Sequence, residues 1–214
     1  MHLDAHHPPL AAWRSPAGGR RLPFADETGS ASRAARVGAA ARTSRPGTGS
    51  AAGPTAGIGA EIAVYTDGSC LGNPGRGGWA WAVADGPYAS GAEPTSTNQR
   101  MEITAVLQAL QAIPGPVLVV SDSSYVVNCF RDRWWQGWLR RSWRNSQGRP
   151  VANRDLWEPL LELALDGGRL VRFSWVKGHS GDPMNERVDQ LATEAALRQR
   201  GTSGGRWPGG SPGS

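Results

Sequence analysis

The stretch Val64-Tyr-Thr-Asp-Gly-Ser-Cys-Leu-Gly-Asn-Pro-Gly75 predicts a β-strand that runs into a tight turn. It places a carboxylate, Asp67, at the end of an otherwise apolar strand, directly before Gly68 and Ser69. Aspartate is rare in strands, and a buried carboxylate is costly unless it is paired or binds a cation. Taken alone, Asp67 could simply begin an Asp-Gly turn. The positions of the other acidic residues decide between these interpretations.

The basic residues of this 214-residue chain are unevenly distributed, although the net charge is only +5. Residues 1–60 hold seven Arg against three acidic residues, and residues 131–154 hold seven Arg and one Asp. The rest of the central region is acidic. A basic patch beside an acidic region is typical of an enzyme that binds a nucleic-acid backbone next to a cation site. A solvated charged helix would explain the same charge pattern equally well.

Two cysteines, Cys70 and Cys129, are too few for a disulfide framework and lack the paired spacing of a zinc site, which favours a cytoplasmic location. The sequence has no apolar run long enough for a membrane span and no apolar core of a signal peptide. A transit peptide in residues 10–50 is disfavoured because Asp26 and Glu27 interrupt that segment.

Composition divides the chain into three parts. Residues 1–59 are dominated by Ala, Gly, Arg, Ser and Pro and are predicted to be disordered, because they offer few large apolar groups to offset the entropy of ordering. Residues 200–214 are predicted to form a flexible tail rich in Gly, Ser and Pro. The folded domain is therefore expected at residues 60–199.

Periodicity within that domain predicts an α/β fold, with a mixed sheet and helices packed on it. Apolar residues along 98–113 form the one-sided stripe of an amphipathic helix, and the apolar run 116–121 is short enough for a buried strand. The predicted strands are 61–69, 77–84, 87–92, 116–121 and 170–176, and the predicted helices are 98–113, 123–130, 133–141, 153–165 and 185–200.

Four carboxylates are predicted to lie near one edge of this sheet. Asp67 ends the first strand, and Asp122 follows strand 116–121, where sheets with parallel strands commonly bind ligands. Glu102 and Asp189 border the apolar faces of their helices. Each alone could be a cap, a turn residue or an exposed acid. Together they would repel one another without cations, and Mg²⁺ commonly binds a few carboxylates together with substrate phosphates. Two such ions about 3.5–4 Å apart can hydrolyse a phosphodiester.

Four segments carry a resemblance to a known family. They are Tyr65-Thr-Asp-Gly-Ser-Cys-Leu-Gly-Asn-Pro-Gly75, Thr97-Asn-Gln-Arg-Met-Glu102, Val120-Ser-Asp-Ser-Ser-Tyr-Val126 and Trp175-Val-Lys-Gly-His-Ser-Gly-Asp-Pro-Met-Asn-Glu-Arg-Val-Asp189. In this order they resemble the motifs of bacterial type I ribonuclease H, over roughly residues 61–198. The resemblance implies a ribonuclease H-like five-stranded mixed sheet flanked by helices. It also implies endonucleolytic cleavage of the RNA strand of RNA–DNA hybrids, leaving 5′-phosphate and 3′-hydroxyl ends, with two Mg²⁺ ions or Mn²⁺ in their place.

The resemblance also assigns residues to the chemistry. Asp67, Glu102, Asp122 and Asp189 match the metal-binding acids, with Gly68 expected to leave room for the metal. On its own, His179 would be a histidine of a surface loop. By resemblance it matches a mobile histidine that relays protons or helps the product leave, a role that suits a group titrating near neutral pH.

A second set of residues is expected to bind the hybrid. Asn73, Asn98 and Gln99 match positions that contact the minor groove, where the 2′-hydroxyls lie. Thr97 and Asn153 match a pocket for a phosphate of the DNA strand, although Thr95 stands where relatives carry a basic residue. Ser124 and Gln99 depart from the usual Gln and Asn. Trp138, Arg140 and Trp143 match a basic protrusion that holds the DNA strand by charge and stacking, whereas Trp134 and Trp135 are expected to pack on the core.

These features predict an active, metal-dependent ribonuclease H. We expect a cytoplasmic monomer that acts on the hybrid duplex, with no obligate protein partner and no membrane association. One alternative is a catalytically silent hybrid-binding protein, which the presence of all four acids and His179 argues against. Another is a nuclease of the same fold that acts on DNA, which the Lys177-Gly-His179 loop and the Trp/Arg segment argue against.

Overall fold

A computed structural model of the chain describes residues 60–166 and 168–206, and in them the chain folds as a mixed sheet covered by helices. The first three strands, β1 (Ile62–Gly72), β2 (Gly75–Val83) and β3 (Tyr88–Ser96), pair antiparallel in succession. On the other side of β1, β4 (Val117–Ser121) lies parallel to it, and β5 (Val171–Trp175) lies parallel to β4. A short last strand, β6 (Ser203–Gly204), pairs with β3, which gives the sheet order β5-β4-β1-β2-β3-β6.

Five α-helices connect or follow these strands: α1 (Asn98–Ala112), α2 (Ser124–Arg131), α3 (Trp134–Arg140), α4 (Arg154–Leu161) and α5 (Pro183–Arg198). A π-helical turn, Glu162–Asp166, extends α4. Side-chain caps mark three of the starts, because the side chains of Thr97, Ser123 and Asp182 accept backbone N–H groups of α1, α2 and α5.

Two apolar clusters hold the sheet between its helices. The larger joins strand residues such as Val64 and Val119 to α1 and to Trp157 of α4, all of them fully buried. The smaller lies under α5, where Val188 and Leu191 contact Ala80 and Ala82 of β2. Burial of each large apolar side chain contributes about 1.5–3 kcal/mol. The clusters therefore fix the positions of α1 and α5, which carry Glu102 and Asp189.

All ten predicted helices and strands are present, with ends shifted by a few residues. The sheet has six strands rather than the five implied by the resemblance, because residues 203–204 pair with β3. These two residues fall within the tail that the composition predicts to be flexible. The predicted tails 1–59 and 207–214 lie outside the described residues. Within residues 60–166 and 168–206, no helix is long and apolar enough to span a membrane.

Candidate metal centre and nucleic-acid surface

Three of the four predicted acids meet at one place. Asp67, Glu102 and Asp122 each direct a carboxylate oxygen to within 4.8 Å of the others. The parallel pairing of β1 with β4 sets Thr66 opposite Ser121, so the next residues, Asp67 and Asp122, lie side by side. Asp122 follows the end of β4 as predicted, whereas β1 does not end at Asp67 but continues to Gly72 because it stays paired with β2. Glu102 reaches them from the second turn of α1. Residues distant in sequence thus form one acidic cluster, which we call the acidic centre.

Gly68 allows α1 to approach β1 closely enough for this meeting. A Cβ atom at Gly68 would lie 2.2 Å from the backbone nitrogen of Glu102 and 2.4 Å from the carbonyl carbon of Met101. Any side chain there would push α1 away from the strand. The space that sequence analysis assigned to a metal beside Gly68 is instead filled by the α1 backbone, which brings the Glu102 carboxylate to Asp67.

Burial and mutual repulsion disfavour the charged forms of these acids. Burial, with the nearby charges of Asp122 and Asp189, raises the pKa of Asp67 to about 7. Burial and the charge of Asp67 raise the pKa of Glu102 well above its ordinary value. A backbone hydrogen bond from Gly68 acts in the opposite sense on both groups, without outweighing these effects.

The acidic centre fits a hard divalent cation. Its donors are carboxylate oxygens from three elements, the ligand type that Mg²⁺ and Mn²⁺ prefer. One oxygen of Glu102, Oε2, is buried without a hydrogen-bond partner among the described residues. A buried carboxylate oxygen in that position is costly unless a cation or a donor meets it. Repulsion among the acids and the unpaired oxygen therefore both indicate that a cation belongs here.

Asp189 stands on α5 beside the three acids, without belonging to the closest group. Its charge contributes to the raised pKa of both Asp67 and Glu102, which places it on the side of α5 that faces them. It lies one residue after the fully buried Val188, as the predicted helix period requires. The structure thus brings three predicted metal ligands together and sets the fourth within electrostatic reach.

Asp122 accepts hydrogen bonds from two residues and lies close to Gly178, three neighbours whose roles the sequence did not reveal. Asn185, which is 3% exposed, donates from Nδ2 to Asp122 Oδ2 at 3.1 Å. Trp175 donates from its indole N–H to the backbone oxygen of Asp122 at 3.0 Å. A Cβ at Gly178 would lie 2.7 Å from Asp122 Oδ2. One cue was available for Asn185: it precedes Asp189 by four residues and so shares its face of α5.

His179 lies in the loop between β5 and α5 and is exposed. Its φ of 52° is in the left-handed region, which non-glycine residues seldom adopt. Within the same loop, Ser180 donates from its hydroxyl to the backbone oxygen of Lys177 at 2.6 Å. Exposure in such a loop is compatible with the role implied for His179, which stays a prediction.

The residues expected to read the hybrid lie at the starts of two helices and in one turn. Asn73, Asn98 and Gln99 are all exposed, and the backbone N–H of Asn98 donates to Asn73 Oδ1 at 3.4 Å. The turn after β1 therefore adjoins the first turn of α1. Thr97 caps α1, and Asn153 precedes α4 in the left-handed conformation, without a capping hydrogen bond from its side chain.

The placement of the tryptophans requires a correction. Trp138 and Trp143, predicted to stack on the DNA strand, are only 7% and 9% exposed and belong to the main apolar cluster. Trp138 packs edge-on against Trp157, with ring centroids 5.3 Å apart. Trp134 and Trp135, predicted to pack on the core, are partly buried and do pack against the same cluster. The prediction for Trp138 and Trp143 is therefore wrong, whereas the prediction for Trp134 and Trp135 is confirmed.

The backbone after α3 explains why Trp143 is buried. Ser142 and Trp143 both have positive φ, so the chain reverses there. The Trp143 N–H then donates to the Trp138 carbonyl at 2.8 Å, and the Val151 N–H donates to the Trp143 carbonyl at 2.9 Å. Arg140 is exposed, as expected for a residue that contacts phosphate. In this segment the arginines, rather than the two buried indoles, are available to a nucleic acid.

The family model and the related sequences both identify the same family. The model of the RNase H family matches residues 59–197. Ribonuclease H of Syntrophomonas wolfei is 50% identical over 141 residues, which cover 63% of this chain and 95% of that protein. Ribonuclease H of Thermus thermophilus is 48% identical over 147 residues, which cover 66% of this chain and 87% of that protein.

A solved structure supports the same similarity. The crystal structure of LC9-RNase H1, a type 1 RNase H with the type 2 active-site motif, gives a TM-score of 0.58 at 30% identity. The match covers 67% of this chain and 76% of that chain. The span matched by the family model includes every residue of the acidic centre and of the exposed surface described above.

Proposed function

The chain belongs to the RNase H family, and from that premise we infer that it is a metal-dependent endoribonuclease that acts on the RNA strand of RNA–DNA hybrids. The observation that carries this inference is the acidic centre itself. Three carboxylates from a strand, a helix and a loop lie within 4.8 Å of one another, on a fold built to hold them there. Such a group is unstable without cations and suits a reaction at a phosphodiester.

We propose that Asp67, Glu102, Asp122 and Asp189 hold the metal, and that Mg²⁺, with Mn²⁺ as a substitute, is the resident ion. Two ions bound there would supply an activated water and stabilise the leaving oxygen, so that cleavage leaves 5′-phosphate and 3′-hydroxyl ends. Asp67 and Glu102 offer deeply buried oxygens. Asp122 is oriented by Asn185, whose Nδ2 occupies one side of its Oδ2.

His179 is proposed to move protons at the edge of the acidic centre or to help the product leave. The supporting observations are its exposure and its position in the loop, where the backbone of His179, between Gly178 and Ser180, is left-handed. Imidazole exchanges protons near neutral pH, which suits either task. Loss of His179 is expected to slow turnover while hybrid binding persists.

Substrate binding is proposed to use the exposed surface beside the acidic centre. Asn73, Asn98 and Gln99 would contact the minor groove, and Thr97 with Asn153 would bind a phosphate of the DNA strand. Arg140 and the neighbouring arginines would attract the backbone, so binding should weaken as salt rises. Trp138 and Trp143 would support this surface from the core. We further propose a cytoplasmic monomer with no obligate partner.

The variant Asp67→Asn tests the function directly. It removes one charge from the acidic centre and keeps the side-chain volume, so cleavage of a labelled RNA–DNA hybrid in Mg²⁺ should fall by roughly a hundredfold or more. Binding of the same hybrid should persist. Asp85→Asn, in the exposed turn between β2 and β3, is the matched control and should cleave normally. Normal cleavage by Asp67→Asn would refute the assignment.

The choice of substrate gives a second outcome to the same assay. The wild-type chain should cut the RNA strand of the hybrid and leave double-stranded DNA of the same sequence intact. Cutting of the DNA duplex with the hybrid left whole would indicate a nuclease of the same fold with another substrate. Binding of the hybrid without any cleavage in Mg²⁺ or Mn²⁺ would indicate the catalytically silent alternative.

A further inference from the structure

One arginine connects the first turns of two helices that lie beside the proposed DNA-strand surface. Arg100 of α1 forms a fork with Asp155 of α4, in which Nη1 lies 3.1 Å from Oδ1 and Nη2 lies 2.8 Å from Oδ2. Arg100 Nε also lies 3.4 Å from Glu93 Oε2 on β3. A bidentate guanidinium–carboxylate pair fixes both distance and orientation. Arg100 therefore links β3, α1 and α4 at their common end.

Both residues proposed to bind a DNA-strand phosphate stand next to this link. Thr97 precedes Arg100 by three residues, and its hydroxyl accepts the backbone N–H of Arg100 at 3.3 Å. Asn153 precedes Asp155 by two residues, and its left-handed backbone leaves its side chain without a capping bond. The separation of Thr97 from Asn153 is thus set where α1 meets α4. Among the described residues, the Arg100–Asp155 fork is the charged pair that ties these two starts together.

The acidic centre does not depend on this link for its own geometry. Glu102 lies only two residues after Arg100, yet its backbone is packed directly against Gly68 of β1. Met101, between them, is fully buried. Glu102, the metal-group residue on this helix, is therefore held against the sheet, while the starts of α1 and α4, which carry Thr97 and Asn153, are linked by the Arg100–Asp155 fork. The two functions of α1 can be separated experimentally.

We propose that Arg100 is a positioning residue for substrate: through Asp155 it holds Thr97 and Asn153 at the spacing that grips one phosphate of the DNA strand. The proposal rests on the proposed function, because it concerns how the same enzyme binds its hybrid. Arg100 acts in it through the helix starts, since its guanidinium is already shared between Glu93 and Asp155.

Asp155→Asn distinguishes this role from plain electrostatics. The substitution removes a negative charge from a surface that binds a polyanion, so charge alone predicts tighter hybrid binding. Loss of the fork predicts weaker binding, because Thr97 and Asn153 lose their fixed spacing. The two explanations therefore differ in sign. The double variant Arg100→Gln with Asp155→Asn keeps the net charge of the wild type, so charge alone predicts no change for it.

The experiment compares Arg100→Gln, Asp155→Asn and their double variant in steady-state cleavage of a labelled hybrid. We expect KM to rise roughly three- to fivefold in all three, without additivity, while kcat and the Mg²⁺ midpoint stay within about twofold. Glu61→Gln is the matched control, because Glu61, just before β1, forms a similar exposed fork with Arg172 of β5. It should leave KM unchanged.

A chemical probe locates the effect at one phosphate. Hybrids are prepared in which a single DNA-strand phosphate at a time is replaced by an uncharged methylphosphonate, and binding is measured by anisotropy in EDTA. Wild type should lose affinity at one position, and Arg100→Gln should lose that sensitivity. The proposal is overturned if Asp155→Asn binds as tightly as wild type or tighter, or if the methylphosphonate penalty is absent in wild type or unchanged in Arg100→Gln.

The outcome is separable from the proposed function. If wild type does not cleave the hybrid at all, the function is wrong and the role of Arg100 in it falls as well. If wild type cleaves and the three variants keep its KM, only the positioning role is wrong. Loss of folded protein would lower the apparent kcat and leave KM unchanged. Thermal unfolding of each variant shows whether the protein is folded at the assay temperature.

Discussion

Asp67 shows how burial and like charge act on one side chain in the absence of metal. The residue is 6% exposed, and its pKa is raised from 3.8 to about 7 by burial and by Asp122 and Asp189. A cation bound to the carboxylate would reverse this effect, because it favours the charged form. The metal-free protein is thus predicted to be destabilised at the pH where the enzyme would work.

This effect can be measured as stability against pH in EDTA. Below about pH 4 Asp67 is protonated in both the folded and the unfolded chain, so it does not change the free energy of unfolding. Between about pH 4 and 7 only the unfolded chain ionises, so the free energy of unfolding falls as pH rises, by at most about 4 kcal/mol. Asp67→Asn lacks this loss. Its stability relative to wild type should therefore increase from pH 4 to 7 and then level off.

Denaturant titrations of both proteins at several pH values check this, and Mg²⁺ serves as the internal control. Added Mg²⁺ should restore the stability of wild type at pH 8 and have little effect on Asp67→Asn, since a ligand that binds the folded state stabilises it. A stability difference that is flat from pH 4 to 8 would contradict the raised pKa of Asp67.

Asn185 is the residue through which α5 acts on Asp122. Removing its amide leaves Asp122 Oδ2 without the 3.1 Å hydrogen bond. Such a bond to a charged group contributes about 1.5–3 kcal/mol, so Asn185→Ala should lower kcat by roughly tenfold or more and raise the Mg²⁺ concentration needed for half-maximal rate. Gln190→Ala, an exposed position on the same helix, is the control. An unchanged Mg²⁺ midpoint would show that Asn185 does not orient a metal ligand.

Within the α3 segment, packing and charge are carried by different side chains. Trp138 is buried against Trp157, so Trp138→Ala should cost about 3–5 kcal/mol of stability through the cavity it leaves. Arg140 is exposed, so Arg140→Gln should leave stability unchanged and reduce the steepness with which salt weakens hybrid binding. Denaturation and binding at several salt concentrations separate the two. Weaker hybrid binding by Trp138→Ala at every salt concentration, with unchanged stability, would restore the stacking role.

The helices and strands were predictable wherever a period or a cap was present. The apolar stripe from Ile103 to Ile113 predicted α1. The apolar run Val117–Ser121, between Pro116 and Asp122, predicted β4. The position of Asp122 after β4 was also predicted. Its meeting with Asp67 depends on the register of β1 against β4, which spacing alone does not give. The prediction for Trp138 was wrong because α3 is one short helix, and the sequence alone does not show which of its side chains packs against Trp157.

Other features depend on contacts between residues far apart in sequence. The role of Asn185 depends on a partner 63 residues away, Asp122, which no local pattern specifies. β6 consists of Ser203 and Gly204, without any apolar alternation, and forms because the edge of β3 offers unpaired backbone groups. Gly68 looked like a residue adjoining a metal, whereas its missing side chain admits α1. Such contacts arise from the tertiary fold.

At the scale of the whole molecule, the described part joins an acidic centre to a segment rich in arginine. Asp67, Glu102 and Asp122 are concentrated where β4 ends beside the middle of β1, while seven Arg and one Asp lie between residues 131 and 154. An acidic site would repel a polyanion unless cations occupied it and a basic surface held the backbone nearby. The charge distribution therefore makes metal binding and hybrid binding mutually supportive.

The proposed domain boundaries lead to a prediction about fragments. We expect the fragment 60–206 to cleave the hybrid with the kcat and KM of the full chain, because it contains the acidic centre and the exposed surface. Shortening it to 60–199 removes β6 and also Thr202, whose carbonyl accepts the Ser90 N–H at 2.7 Å. Two or three such bonds contribute roughly 1–3 kcal/mol, so Tm should fall by about 3–10 °C.

Cleavage at 25 °C should survive this shortening, because β6 pairs with β3 and the acidic centre lies two strands away, at β1 and β4. Calorimetry and hybrid cleavage on the same preparations separate the two effects. A fragment 60–206 that binds the hybrid far more weakly than the full chain would show that residues outside the catalytic domain, such as the arginines before residue 60, contribute to substrate affinity. A fragment 60–199 as stable as 60–206 would show that the sheet does not need its sixth strand.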